Sequence, residues 1–208
     1  LALASLLSRD GWLHAAETSA PVNSLTPRPP HFPARAKAVI YLFMHGGPSH
    51  VDTFDPKPAL NKFDGQPPPE EFHQLKLQFT DVKKQKLMGS PQTFTRCGRS
   101  GIEICDSLPQ LQQCADDLCI VRSLHHEVFN HTPAIWLANT GSSLPGRASL
   151  GAWLSYGLGS TADNLPAFVV MHSRPLKPGP GVWGNGFLPA VHQGTRVSTG
   201  PVPIPHLA

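Results

Sequence analysis

Apolar residues form three continuous runs along the chain, and each run predicts a strand that is buried on both faces. The runs cover residues 38–44, 118–121 and 167–171. The first run, Ala-Val-Ile-Tyr-Leu-Phe-Met, is rich in β-branched and aromatic residues and ends at a Gly-Gly-Pro turn. Such runs are typical of strands in parallel sheets, where helices cover both faces.

Three segments with helical spacing accompany these runs. The first starts at Ser107, which lies three residues before Gln110 and fits the N-cap of a capping box. The second starts at Thr132 and stops at Gly141, and the third covers residues 148–158. The order strand, helix, strand, helix, helix, strand predicts an α/β fold with a mostly parallel sheet flanked by helices.

The composition agrees with a folded unit that has long loops. The 208 residues include 18 Gly and 23 Pro, only 15% are charged, and 40% are hydrophobic. These values exclude collagen, coiled coils and charge-driven disorder. A loop-rich stretch is expected from the first apolar run to about residue 105. The net charge is only +3 and no stripe of Lys or Arg is present, so we expect no nucleic-acid partner.

Residues 1–36 are interpreted as the remnant of a signal peptide followed by a linker. Residues 1–7 are apolar but too few to span a bilayer, which takes about 20 residues. They fit the end of a signal peptide, with small residues between Ala15 and Ala20 as cleavage sites, and a frayed helix is the alternative. Five prolines between residues 21 and 33 indicate an extended linker. We therefore expect an exported, periplasmic protein without stable membrane insertion, whose fold begins near Lys37.

The four cysteines lack the C-x-x-C spacing of a structural zinc site. In an exported protein they can form two disulfides, with three possible pairings. We expect Cys114 and Cys119 to be small buried side chains instead, whereas the state of Cys97 and Cys105 stays open.

The residues that follow the three predicted strands are the strongest sign of a functional site. Ligands of open α/β sheets bind beyond the carboxyl ends of the strands. If the strands are parallel, one rim of the sheet collects the side chains that follow them. The residues concerned are His45, Asp52, His125, His126, His131, His172 and Arg174.

His45 and Asp52 are candidate metal ligands. A neutral imidazole together with a carboxylate suits zinc, iron or manganese. The alternative for His45 is that it ends a strand before a tight Gly-Gly turn. At most one of His125 and His126 is expected to face the rim, because adjacent residues of a strand point to opposite faces. Asp55 is interpreted as a turn residue or a helix cap.

Thr132 has two interpretations at the start of its predicted helix. A Thr before Pro is a common N-cap, and the local sequence favours this interpretation. The same position suits a nucleophile or an anion site, because free backbone N–H groups and the helix dipole favour phosphate or sulfate there. A neighbouring metal ion would make the hydroxyl more acidic.

Several separated motifs resemble the DUF1501 proteins. The first is Met-His-Gly-Gly-Pro-Ser-His-Val-Asp-Thr-Phe-Asp-Pro-Lys-Pro at residues 44–58, and the others lie at 130–132, 149–159 and 186–194. The resemblance runs from about residue 37 to the C-terminus. It implies a fold similar to that of the alkaline phosphatase and sulfatase superfamily and a twin-arginine export signal. Members of the family are longer, so we expect this chain to hold the N-terminal part of the fold.

By position, the resemblance places His45 where the superfamily has a metal-binding carboxylate and Thr132 nearest to its nucleophile. It raises the nucleophile interpretation of Thr132 to equal standing with the cap. His-Gly-Gly replaces the first-strand Asp pair of sulfatases. The Cys-x-Pro-x-Arg signature is also missing, so formylglycine chemistry is not expected.

The sequence thus leads to an exported, metal-dependent hydrolase of sulfate or phosphate esters, with small-molecule or polysaccharide esters as substrates. The expected cofactor is a divalent metal ion, zinc, manganese or calcium. The rival hypothesis is a non-catalytic envelope protein with a binding or structural role, and a small metal-binding module is the third. The roles assigned are catalytic for Thr132 and His131, substrate-binding for His125, His126 and Arg174, and metal-binding for His45 and Asp52.

Overall fold

The computed structural model describes residues 25–77, 79–162, 164–172, 177–198 and 203–204. The chain forms two compact units. The first unit consists of the residues up to His45 together with those from Asn130 onward, and the second unit is Gly46–Phe129. Within the described residues the fold is mixed α/β, and each of its sheets has two strands.

The regular elements of the described residues are short. The helices are α1 (Pro58–Lys62), α2 (Pro109–Gln113), α3 (His131–Thr140) and α4 (Leu150–Leu158). The strands are β1 (Phe94–Cys97), β2 (Ile102–Cys105), β3 (Val169–Met171) and β4 (Thr195–Val197). Single turns of 3-10 helix occur at His50–Asp52, Glu70–Phe72, Val82–Lys84, Ala115–Asp117, Pro180–Trp183 and Ala190–His192. None of the described helices is long and apolar enough to cross a membrane.

Helices α3 and α4 confirm two of the predicted helices together with their glycine stops. Asn130 caps α3, and Ser149 caps α4 with a side chain that accepts a backbone hydrogen bond. Gly141 follows α3 with a φ of 73°, and Gly159 follows α4 with a φ of 72°. Both helices therefore stop at a backbone conformation that glycine adopts without a steric penalty.

The helix predicted from Ser107 forms, but it begins later than expected. Helix α2 starts at Pro109, and its N-cap position is Leu108, which provides no side-chain cap. The hydroxyl of Ser107 instead donates to the side-chain carbonyl of Gln92. The capping-box prediction is therefore wrong, because a partner that is distant in sequence binds the hydroxyl.

The first apolar run is not a strand, contrary to the prediction. Residues 38–44 form no regular secondary structure, and Ile40 and Leu42 are 84% and 82% exposed. A strand needs a neighbour that accepts and donates its backbone hydrogen bonds. No segment within the described ranges pairs with this run, so its apolar side chains stay largely exposed. Phe43 alone in the run is half-buried.

The other two predicted strands form only in part. Residues 118–121 contain no strand, and Val121 is exposed. Strand β3 forms within the third run and pairs in parallel with β4, with Val170 opposite Arg196. The outer residues of β3, Val169 and Met171, are exposed, so the prediction of burial on both faces is wrong. In place of the predicted, mostly parallel sheet, the described residues contain one parallel pair of strands.

The stretch expected to be loops contains an antiparallel hairpin. Strands β1 and β2 pair with Phe94 opposite Cys105 and Cys97 opposite Ile102. Ile104 of β2 is fully buried and packs with Cys97 and Ala115. Only four residues separate the two strands, so pairing costs little chain entropy.

Two of the four cysteines differ from the prediction. Cys97 and Cys105 are buried in the hairpin, whereas Cys114 and Cys119 are exposed, and all four are free thiols. The prediction of burial for Cys114 and Cys119 is wrong: helix α2 ends at Gln113, and residues 118–121 form no strand that would bury them.

Among the described residues, two apolar clusters form the core of the first unit. The Tyr156 cluster joins α4 to the 186–194 segment through Ala148, Ala152, Tyr156 and Leu188. The Trp183 cluster joins α3 to the turn at Pro180–Trp183 through Ile135, Val182 and Trp183, with Phe43, Trp136, Phe168 and Val170 packed against it.

Candidate functional site

The predicted site residues are distributed over both units. Arg174 lies outside the described residues. The first unit contains His45, His131, His172 and Thr132, and the second contains Asp52, His125 and His126.

Thr132 is the second residue of α3 and is half-buried. The N-cap is Asn130, whose side-chain oxygen accepts a hydrogen bond from the backbone N–H of Thr132 at 3.1 Å. The cap interpretation of Thr132 is therefore wrong. Within the described residues, the hydroxyl of Thr132 has no hydrogen-bond partner.

The backbone donors at the start of α3 are largely used. Asn130 binds the N–H of Thr132, and Pro133 has no N–H. The N–H of Ala134 donates to the carbonyl of Asn130 at 3.0 Å. The N–H of His131 is left in this first turn, so an anion bound here would depend mainly on side chains.

His45 is exposed, and its ring is held by one hydrogen bond. Nε2 of His45 lies 3.2 Å from the carbonyl oxygen of Lys177. Because a carbonyl only accepts, Nε2 carries the proton in this contact and Nδ1 offers a lone pair. Gly46 and Gly47 follow with φ values of 90° and 77°, which confirms the tight turn predicted after His45.

His45 and Thr132 are both anchored to the Trp183 cluster. Phe43 lies two residues before His45 and packs against this cluster. Ile135 lies about one helical turn after Thr132 and belongs to the cluster. Both candidate residues therefore extend from one packed region of the first unit. The ring of His172, which follows β3, is centred 5.1 Å from the Trp183 ring in the same region.

Asp52 ends a single 3-10 turn in the second unit. Its Oδ2 accepts a hydrogen bond from the hydroxyl of Ser49 at 2.6 Å. Hydrogen bonds from Ser49 and Ser90 hold the pKa of Asp52 below its ordinary value. Asp52 is therefore an ionised carboxylate at neutral pH.

Asp55 takes part in ion pairs and does not cap a helix. Nζ of Lys57 lies 2.8 Å from one carboxylate oxygen of Asp55, and Nε of Arg122 lies 3.9 Å from the other. The hydrogen bond from Lys57 is the main cause that lowers the pKa of Asp55. Sequence reasoning overlooked Arg122, although a basic residue directly after an apolar run was the available signal. Arg122 also lines an open cleft of about 560 Å³.

His125 and His126 lie in an exposed loop and bind their own backbone neighbourhood. Nδ1 of His125 lies 3.3 Å from the carbonyl oxygen of Ser123. Nδ1 of His126 accepts a hydrogen bond from the N–H of Val128 at 3.1 Å. The strand alternation expected to turn one of them away does not apply, because this segment is not a strand.

Metal-ligating side chains are not clustered in the described part of the chain. No group of three or more His, Cys, Asp or Glu residues there could hold a metal ion together.

The sequence profile of the family described as protein of unknown function (DUF1501) matches residues 36–208. The chain belongs to the DUF1501 family. No curated protein and no solved structure matches this DUF1501 chain.

Two motifs of the DUF1501 resemblance meet at a buried Ser–His pair that the sequence did not reveal. Oγ of Ser155 lies 3.1 Å from Nδ1 of His192, and both residues are buried. Oγ of Ser155 also lies 3.1 Å from the carbonyl oxygen of Ala152, so this carbonyl and Nδ1 of His192 are both within reach of the one hydroxyl proton. The buried pair connects α4 to the 186–194 segment of this DUF1501 chain.

Proposed function

We propose that the chain is an exported, metal-dependent hydrolase of sulfate or phosphate esters, built on an alkaline-phosphatase-like fold. The observation that carries the proposal is the environment of Thr132. Its hydroxyl makes no hydrogen bond within the described residues, it lies in the first turn of a ten-residue helix, and His131 precedes it. The positive end of the helix dipole favours the negative charge of such an ester, and side chains would supply most of its hydrogen bonds.

The chemistry assigned to these residues is a displacement at sulfur or phosphorus. Oγ of Thr132 forms a bond to the central atom while the bond to the alcohol oxygen of the ester breaks. His131 takes the proton of the Thr132 hydroxyl, and water protonates the departing alcohol oxygen, because the entering and leaving oxygens lie on opposite sides of the central atom. Water then attacks the central atom of the threonine ester, the bond to Oγ breaks, and the proton held by His131 returns to Oγ as sulfate or phosphate leaves.

The donor chemistry of His45 and Asp52 fits a divalent metal ion. Nδ1 of His45 offers a neutral imidazole lone pair, and Asp52 offers an ionised carboxylate. An imidazole suits zinc or manganese better than calcium, which takes oxygen ligands, whereas a carboxylate suits all three ions. A catalytic zinc site takes about three protein ligands, so each of these two side chains would need further ligands beside it. When bound, such an ion would polarise an ester oxygen.

Substrate binding is assigned to His125, His126 and Arg174. A guanidinium can bind two anionic oxygens of an ester at once, and an imidazole N–H can donate to one such oxygen. The substrates proposed are small-molecule or polysaccharide esters, in agreement with the export inferred from the sequence.

The proposal is tested on the full chain with p-nitrophenyl phosphate and p-nitrophenyl sulfate, after its bound metal has been measured. His131→Ala should lower turnover about 10²–10⁴-fold, and Thr132→Ala at least as much. Thr132→Ser should keep part of the activity because it keeps a hydroxyl. Thr140→Ala, at the other end of α3, is the matched control and should leave turnover unchanged. Unchanged turnover in Thr132→Ala would rule out its role as nucleophile.

A non-catalytic envelope protein with a binding or structural role is the second candidate. It is favoured by His-Gly-Gly in place of the sulfatase Asp pair and by the local backbone bonds of the His125 and His126 rings. Stoichiometric metal that is lost in His45→Ala, without turnover of either ester, would support this candidate. A metal-free protein would contradict both the hydrolase and a metal-binding module.

A further inference from the structure

The segment Leu25–Arg28, named here the N-terminal strap, contacts the end of helix α4 and lies within the stretch that the sequence predicts to be an extended linker. The carbonyl of Leu25 accepts a hydrogen bond from the N–H of Ser160 at 2.8 Å. The N–H of Arg28 donates to the carbonyl of Leu158 at 2.9 Å. These bonds satisfy backbone groups at the end of α4 that have no partner inside the helix.

The side chain of Arg28 strengthens this contact. One terminal guanidinium nitrogen donates to the carbonyl of Tyr156 at 2.6 Å. The guanidinium carbon also lies 5.3 Å from the centre of the Tyr156 ring. A cation here is favoured by the negative end of the helix dipole and by the face of the aromatic ring. Tyr156 is only 1% exposed, so the strap adjoins the Tyr156 cluster.

Gly159 shows how closely the strap approaches the helix. Its backbone has φ 72° and ψ −156°, a conformation that favours glycine. A Cβ atom at this position would lie closer than 3.0 Å to the backbone carbonyl of Thr26. The strap backbone therefore occupies the space that any other side chain would need.

We infer that the N-terminal strap is part of the folded first unit and caps α4, so N-terminal processing that preserves the fold ends before Leu25. The DUF1501 match begins at residue 36, and the strap precedes it. Cleavage among the small residues between Ala15 and Ala20 leaves the strap in place, whereas cleavage after Arg28 removes it. This inference does not depend on the proposed hydrolase activity.

A matched pair of glycine variants of the full chain tests the packing. Gly179 has nearly the same backbone as Gly159, with φ 90° and ψ −161°, but a Cβ there meets nothing within 4 Å. Gly159→Ala should lower the Tm more than Gly179→Ala does, by a difference of about 2–4 °C or greater. Arg28→Ala should lower the Tm by about 2–4 °C, while Arg35→Ala leaves it unchanged. Equal Tm shifts within each pair would overturn the inference.

Amide hydrogen exchange tests the contact in the unaltered protein. The amides of Arg28 and Ser160 should exchange slowly, and both should become fast in Gly159→Ala. Unprotected exchange of both amides in the wild-type chain would refute the contact.

Site-specific proteolysis tests the processing boundary. A protease site inserted after Pro21 and one inserted after Pro30 give two chains that can be cut after folding. The first cut should leave the Tm and the slow hydrogen exchange of the Ser160 amide unchanged. The second cut should lower the Tm and make this exchange fast. The same Tm after both cuts would show that the strap is dispensable.

Discussion

Residues 38–44 and helix α3 are two apolar segments of the first unit, and they have opposite outcomes. The sequence predicts a buried strand for the first and a helix for the second, but Ile40 is 84% exposed whereas Ile135 is 4% exposed. Helix α3 satisfies its backbone hydrogen bonds within itself, whereas a strand depends on a neighbour. An apolar pattern therefore forms a helix from local interactions but forms a strand only where the chain supplies a partner.

The strands that do form agree with this comparison. Strands β1 and β2 pair across a four-residue connection, so each strand has its partner close by in the sequence. Strand β3 instead pairs with β4, which lies more than twenty residues later in the chain. The presence of a partner, and not the apolar content of the strand, separates these segments from residues 38–44.

The largest effect is expected from the matched variants Ile135→Ala and Ile40→Ala. Ile135→Ala leaves a cavity in the Trp183 cluster and should lower the free energy of unfolding by about 2–5 kcal/mol. Ile40→Ala removes an exposed side chain and should change it by less than about 0.5 kcal/mol. Urea unfolding of both variants measures the difference. Similar losses would show that residues 38–44 are buried in solution.

A second, smaller effect separates two glycines of helix α4. A Cβ at Gly151 would lie closer than 3.0 Å to the Phe168 ring, whereas a Cβ at Gly157 meets nothing within 4 Å. Gly151→Ala should lower the free energy of unfolding by about 1–3 kcal/mol because of overpacking. Gly157→Ala should raise it by about 0.5–1 kcal/mol, since Ala favours helix.

Chemical denaturation of the two glycine variants measures these changes. Effects of the same sign would show that helix propensity outweighs the contact with Phe168. Effects of opposite sign would confirm that tertiary packing decides which positions of α4 tolerate a side chain.

The smallest effect is expected from the pH dependence of the hairpin. The carboxylate of Asp106 accepts hydrogen bonds from the hydroxyls of Thr93 and Thr95 at 2.5 and 2.6 Å and from the Gln112 amide at 2.9 Å. These bonds, that of Thr93 foremost, hold the pKa of Asp106 below its ordinary value. The resulting stability is present above the unfolded-state pKa, about 3.9, and disappears as the pH falls through the lower folded-state pKa.

The Asp106→Asn variant tests this pH dependence. It should flatten the decline in stability below about pH 4, because the position no longer takes up a proton. Asp117→Asn is the control, since this exposed carboxylate accepts no side-chain hydrogen bond within the described residues, and it should keep the wild-type profile. Thermal unfolding between about pH 2 and 6 measures both variants. Identical profiles for wild type and Asp106→Asn would contradict the role of this carboxylate.

Local sequence signals predicted part of the candidate site. The Gly-Gly turn after His45 and the position of Thr132 in the first turn of α3 both follow from short-range rules. The identity of the α3 cap was missed, because Asn130 lies two residues before Thr132 and competes for the same role. The ion pair of Asp55 with Arg122 could not be derived from the pattern, because 67 positions separate the two residues and only folding brings them together.

The sequence by itself determined the helices of the first unit, their glycine stops and membership of the DUF1501 family. These features depend on neighbours within a few residues or on motifs that can be read directly. The tertiary structure decided which apolar runs become strands, which cysteines are buried, and that the N-terminal strap closes α4. Each of these depends on a partner from elsewhere in the chain, and the pattern of apolar residues does not specify which partner that is.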